Sequence, residues 1–315
     1  MKKLSIPTIL SNWILSETKS GVITHNTICR QILKIYIERF LDESITKKKS
    51  PLNLEKSHFY YYINKLIDNG VLSNTSTRHI YTLPNINQFS EIQNVYSAYK
   101  YGYISYISAM YWYGITDRIP KTLYLTVPEL KQWKKMSLED VKNEYSQEMV
   151  EYEELFNNLL DEYPKSGKFL KTDLYIRSTK NYLPSDMKGN EVKVREIGQL
   201  FIDMLNTPSL CGGVQHVMDV FLEYGMTYSR KIIISTDRYG SKIDKARIGF
   251  LLNTVMNIED TTLNKWKKEC VNERGSSRKL IASDEFCSIF SPEWNLSINY
   301  QPFQSYGITK NGEVR

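Results

Sequence analysis

Lys56-Ser-His-Phe-Tyr-Tyr-Tyr-Ile-Asn-Lys-Leu-Ile-Asp-Asn-Gly70 is the stretch that decides how this 315-residue chain reads. Phe59, Ile63, Leu66 and Ile67 fall at i, i+4, i+7 and i+8, a single apolar stripe on an α-helix. Asn69-Gly70 is a helix stop. The opposite side carries Lys56, Ser57, His58, Tyr61, Asn64 and Lys65. Such side chains suit phosphate oxygens and base edges in a major groove. Tyr60 and Tyr62 stand between the two faces, where a tyrosine either completes the core or joins the polar side.

On the N-terminal side of this helix, two more helices are expected. Ile9, Leu10, Trp13 and Ile14 recur at helical spacing up to Gly21. Thr24 is placed to cap a second helix, in which Ile28, Ile32, Ile35 and Phe40 form an apolar stripe as far as about Asp42. Lys47 to Pro51 is a basic, proline-ended connector. On the C-terminal side, Val71 to Ser73 and His79 to Leu83 read as two short strands, with Asn74 to Thr77 as the turn and Pro84 closing the unit. Three helices followed by a basic β-hairpin predict an N-terminal winged helix-turn-helix over residues 1–85. Arg78 and His79 of the hairpin would then reach a phosphate or the minor groove.

Charge supports that reading. The first ninety residues hold twelve Lys or Arg against six acids, and the other 225 are balanced, so the whole net charge of +6 lies at this end. A polyanion is drawn there. The remainder, 90–315 with a sub-boundary near 165, reads as a mixed α/β domain. Ser97 to Tyr113 is expected to be helical, Lys121 to Val127 a strand, and 138–163 an acidic surface helix. Strands follow at 168–177 and 191–194, and helices at 195–205, 214–224 and 243–256. The fold class expected is therefore α+β.

Other classes receive little support. The four cysteines (Cys29, Cys211, Cys270, Cys287) and four histidines (His25, His58, His79, His216) have no metal-ligand spacing, so no metal or cofactor is expected. No apolar run approaches the roughly 18 residues of a membrane span. Thr8 to Thr18 is amphipathic and holds Asn12 and Glu17, unlike a signal sequence. A cytoplasmic protein with reduced cysteines is expected.

Four blocks resemble the AbiEi-family antitoxins of type IV abortive-infection systems, and together they span nearly the whole chain. The first is the helix and wing, through Asn69-Gly-Val-Leu72 and Ile80-Tyr-Thr-Leu-Pro84. The second is Gly102-Tyr-Ile-Ser-Tyr-Ile-Ser-Ala-Met-Tyr-Trp-Tyr-Gly114-Ile-Thr-Asp-Arg-Ile-Pro120 and the strand to Pro128. The third is Val194-Arg-Glu-Ile-Gly-Gln-Leu-Phe-Ile-Asp-Met-Leu-Asn-Thr-Pro208 with Cys211-Gly-Gly213. The fourth is Ala246-Arg-Ile-Gly249-Phe-Leu-Leu252 with Ser277-Arg278 and Trp294-Asn-Leu296. The departures are Ile197-Gly198 and the acidic insertion around 138–163. The resemblance implies a phage-defence antitoxin that represses its own operon by binding inverted repeats in double-stranded DNA. It further implies a C-terminal domain that neutralises a nucleotidyltransferase-like toxin without a stable complex, and no enzymatic activity.

Two alternatives stand beside it. One is a transcription factor with a sensing C-terminal domain. The other is a metal-dependent nuclease using Asp173, Glu191 and Lys193, where carboxylates would hold Mg²⁺ and the lysine would steady the developing charge. Four smaller expectations concern the C-terminal half. Gly212-Gly213 begins a helix after a tight turn, Gly249 permits close helix packing, and Arg247 pairs with Asp203. Lys242, Lys245 and Arg247 form a second cationic cluster.

Overall fold

A computed structural model describes residues 4–41, 54–84, 89–145, 155–182, 187–188, 192–272 and 278–308. The expected connector Lys47 to Pro51, and Glu191, lie outside these residues. The chain is α+β and divides into two compact units, Met1–Tyr103 with Lys121–Lys193, and Ile104–Pro120 with Val194–Arg315. This is a different partition from 1–85 and 90–315. The first unit holds 25 basic and 20 acidic residues and the second 16 and 15, so most of the positive excess lies in the unit that contains Lys56 to Gly70.

The first unit opens with α1 (Ile6–Glu17), β1 (Val22–Thr24), α2 (His25–Leu41), α3 (Lys56–Asp68), β2 (Ser73–Asn74) and β3 (Ile80–Thr82). Pro7 sits in the first turn of α1, where its missing N–H costs nothing, and the Ser5 hydroxyl accepts from the Thr8 N–H at 3.4 Å. Thr24 does cap α2, its Oγ1 accepting from the Thr27 N–H. The three strands form one antiparallel sheet in the order β1-β3-β2, with Val22 opposite Thr82 and Asn74 opposite Tyr81. Leu10 and Ile14 of α1, Ile28 and Ile32 of α2, and Phe59, Ile63 and Leu66 of α3 close a common core.

That core does not end at residue 83. After α4 (Glu91–Ala98), β4 (Tyr103–Ile104), α5 (Tyr106–Trp112) and β5 (Thr122–Pro128) come α6 (Leu130–Tyr145) and α7 (Phe156–Leu159). Val141, Tyr145, Leu155 and Leu159 are buried in the same cluster as the N-terminal helices. The expected surface helix over 138–163 is thus two described helices with an interior face. Buried Trp133, Ser137, Val141 and Tyr145 repeat every four residues along α6, leaving the charges outside.

A polar hub joins these segments to α2. Arg30, only 8 % exposed, donates from Nε to the Leu159 carbonyl at 2.8 Å and from Nη2 to Asp161 at 2.8 Å. Asp161 also receives Ser137 Oγ, Asn26 Nδ2 and its own share of Lys100, 3.3 Å away. Lys100 lies 2.6 Å from Asp140, and the Tyr101 hydroxyl is shared between Asp140 and Asp161. Burial pushes the Asp161 carboxyl up, but Arg30 and Lys100 outweigh it and hold the group below the ordinary carboxylate range.

Strands β5, β6 (Gly167–Phe169) and β7 (Thr172–Thr179) form a second sheet in this unit. β5 runs parallel to β7, with Leu125 opposite Ile176, and β6 forms a tight hairpin with β7, with Lys168 opposite Asp173. β8 (Met187–Lys188) pairs with β9 (Val192–Lys193).

The second unit is built on α8 (Ile197–Asn206) and α9 (Val214–Tyr239), followed by α10 (Lys242–Gly249) and α11 (Thr261–Asn272). α9 runs fifteen residues past the expected end at Tyr224. Gly225 does not stop it, a lone glycine costing a helix only about 1 kcal/mol relative to Ala, and the Met256 side chain packs against its bare α-carbon. Residues 250–255 continue α10 as a π-helical stretch. β10 (Arg278–Lys279), β11 (Phe290–Ser291) and β12 (Leu296–Ser297) form a small sheet. Gly249 faces buried Trp294 so closely that a β-carbon would stand 2.1 Å from the ring, the close packing expected. Gly213, at φ 93°, leads into α9 after a turn as expected. Arg247 does not pair with Asp203. It donates to Asn206 Oδ1 and to the Lys279 carbonyl, while Asp203 is held by Arg195 at 2.7 and 3.0 Å. The nearer guanidinium, eight residues away, captures the carboxylate.

Candidate nucleic-acid interface

The burial of α3 sorts its residues into two faces. Phe59, Tyr62, Ile63 and Leu66 point inward, and the Tyr62 hydroxyl meets that of Tyr36 at 2.9 Å. Tyr60 and Tyr61 face solvent, at 41 % and 54 % exposure. The two tyrosines left open by the sequence therefore divide, Tyr62 to the core and Tyr60 to the surface. The outer face carries Lys56, Ser57, Tyr60, Tyr61 and Asn64, with Lys65 half-buried at its edge.

Some expected contact residues have intramolecular work. The His58 ring accepts the Glu55 N–H through Nδ1 at 2.9 Å and closes the first turn of α3. Ser57 Oγ lies 3.3 Å from the Glu55 carboxylate. Lys65 pairs with Asp68 at 3.3 Å, an exposed contact that costs little to exchange for a phosphate. Arg78 is exposed on the turn between β2 and β3. His79 follows it with φ 58°, a left-handed conformation that histidine tolerates better than most residues, and its Nδ1 is paired with Glu162.

A run of rings connects helix and turn. His25, buried at the start of α2, stacks on His79 with centroids 4.7 Å apart and lies 5.2 Å from the Tyr60 ring. Its Nδ1 is 3.5 Å from the Tyr81 hydroxyl, and its Nε2 is buried with no hydrogen-bond partner among the described residues. Burial first, then the charges of His79, Arg78 and Lys56, push its pKa down to about 4. Lys56 heads α3 and Arg78 tips the hairpin, yet both act on this one imidazole.

Sequence reasoning missed Glu162, which engages His79 from 83 residues away, and the role of His25 as the ring between α3 and the hairpin. Only the shared histidine chemistry of positions 25 and 79 hinted at the latter. The residues weighed for metal-dependent cleavage are placed as follows. Asp173 on β7 pairs with Lys168 at 2.8 Å, and Lys193 on β9 is half-buried, with burial holding its amine below the usual range. Lys242 and Lys245 line a cavity of about 140 Å³ with Arg278 and Trp266, and Arg247 is buried away from it.

No family model and no curated protein matches the chain. Among solved structures it is similar to the RV2827C protein from Mycobacterium tuberculosis, at 9% identity and a TM-score of 0.43 over 94% of this chain and 92% of that one. Neither fold nor function is transferred at that level. No described helix is long and apolar enough to cross a membrane.

Proposed function

We propose that residues 6–83 are a winged helix-turn-helix that binds double-stranded DNA, with α3 as recognition helix and the β2–β3 hairpin as wing. The observation that carries this reading is the outer face of α3. Two lysines, two exposed tyrosines and an asparagine share one side of a helix whose other side is core. The hairpin cation Arg78 and Lys56 at the start of α3 both help to hold the pKa of the intervening His25 down. Lysine and arginine supply phosphate contacts, asparagine reads adenine edges, and tyrosine supplies a flat apolar face with a hydroxyl.

The four sequence blocks extend the proposal to the whole chain. It is the antitoxin of a type IV pair, a repressor of its own operon, and acts without catalysis. The second unit is the candidate neutralising part, opposing a nucleotidyltransferase-like toxin without a stable complex. Co-expression tests this. The full chain should restore growth of cells expressing the neighbouring toxin gene and should lower expression from its own promoter. A Lys56→Ala/Tyr61→Ala/Asn64→Ala variant should still restore growth while the promoter is released. Repression that survives this variant would remove α3 as the reading helix. Failure of the full chain to protect would remove the antitoxin assignment.

A further inference from the structure

The first unit holds cations beside the wing that come from far along the chain. Strand β6 of the β6–β7 hairpin lies beside the wing turn, with Thr77 Oγ1 donating to the Lys168 carbonyl at 3.5 Å. Two open grooves flank this contact. One, about 500 Å³, has Thr77 and Arg78 on one wall and Lys165, Ser166 and Lys168 on the other. The second, about 560 Å³, sets Asn74 and Ser76 of the wing against Lys171 and Thr172. Phe169 is buried beneath the hairpin and meets Tyr99 edge-on at 5.7 Å, so the lysines project from a packed base.

We propose that this hairpin is a second DNA-contacting element, in which Lys165, Lys168 and Lys171 bind phosphates of the duplex next to those held by the wing. The proposal rests on the DNA-binding reading above and extends its footprint. Lys165, Lys168 and Lys171 are all exposed. Lys165 and Lys171 form no ion pair among the described residues. The carboxylates nearby are already engaged, Glu162 by His79, Asp173 by Lys168 and Glu91 by the Thr172 hydroxyl. Toward solvent the two grooves present the Lys165 and Lys171 ammonium groups, the paired Lys168, and Ser, Thr and Asn side chains, with Glu162 and Glu91 also on their walls. The ammonium and hydroxyl groups are the donor set that grips phosphodiester oxygens without reading sequence. Packing contacts also tie the three elements together. Tyr60, His25 and His79 link α3 to the wing, and Thr77 links the wing to the hairpin. A duplex seated on α3 and the wing therefore meets the hairpin next.

The test is a Lys165→Gln/Lys168→Gln/Lys171→Gln variant of the full chain, compared with wild type on the DNA upstream of its own gene. Each lost phosphate contact removes about 0.9 from the slope of log K against log salt, so three lower it by about 3 and weaken binding on the order of 100-fold at about 0.15 M salt. Hydroxyl-radical footprinting should show loss of protection at one flank and retained protection at the centre. Wild-type binding with the same slope and footprint in the variant would overturn the hairpin's role alone. Absence of wild-type binding to any duplex would remove the DNA reading itself, and the hairpin's role with it.

Discussion

Replacing Arg30 with Met removes the cation that Asp161 faces at 2.8 Å while keeping most of the side-chain volume. Both side chains are about 10 % exposed, so solvent screens the loss poorly. Breaking a buried ion pair by deleting one partner costs about 3–5 kcal/mol, chiefly because the remaining charge is left uncompensated. Asp161 keeps Lys100, Ser137 and Asn26, which places the expected cost near the lower end, about 3 kcal/mol. The Nε bond to the Leu159 carbonyl is also lost, leaving that oxygen to be satisfied elsewhere. Urea unfolding of the full chain, followed by a probe in the first unit, measures the difference. Arg30→Met/Asp161→Asn should lose less than the two single variants summed, because no carboxylate is stranded. The penalty of Arg30→Met should also shrink as pH falls through the carboxylate range, since protonating Asp161 removes the stranded charge. A single variant within about 0.5 kcal/mol of wild type, or strict additivity in the double variant, would refute the role given to this pair.

Acid should destabilise the first unit through His25. Its folded pKa of about 4 lies below the ordinary 6.5, so the unfolded chain binds more protons between those values, and stability falls as pH drops from about 6.5 to about 4. The full effect is on the order of 3 kcal/mol, read as urea midpoint against pH, and His25→Phe should flatten it. His216 in the second unit, held down by burial and Arg118, acts in the same direction and sets the residual slope. Gly249→Ala should destabilise the second unit by roughly 1–3 kcal/mol in thermal unfolding, because Trp294 has no room to yield. Lys65→Ala and Arg78→Ala should each weaken DNA binding by about 1 kcal/mol in a mobility shift and leave stability unchanged, as both side chains are exposed or nearly so.

Local patterns carried the sequence reading of the first eighty residues. The stripe Phe59, Ile63 and Leu66, the Gly70 stop and the Thr24 cap depend on neighbours within a turn or two, and all appear in the structure. Strand β1 went unread because three residues, Val22 to Thr24, have no periodicity to recognise. Long-range pairings were opaque for a different reason. Arg30 counts as surface charge in any tally, yet it is buried against a carboxylate 131 residues away. The interior face of α6 was legible in principle, since Trp133, Val141 and Tyr145 sit on one side, but the lysines and acids of the same helix made it read as solvent-facing. Of the interface, the outward face of α3 was visible in the sequence. The link from Tyr60 through His25 to His79 and Glu162 joins four distant segments and needed coordinates.

If α3 and its hairpin hold duplex DNA as proposed, they do so through phosphates as well as bases. The most direct test is titration of the full chain against the DNA upstream of its own gene across a range of salt concentrations. Specific binding should weaken steeply as salt rises, with paired protected half-sites lost in Lys56→Ala/Tyr61→Ala/Asn64→Ala. No binding, or binding indifferent to both salt and that substitution, would contradict it.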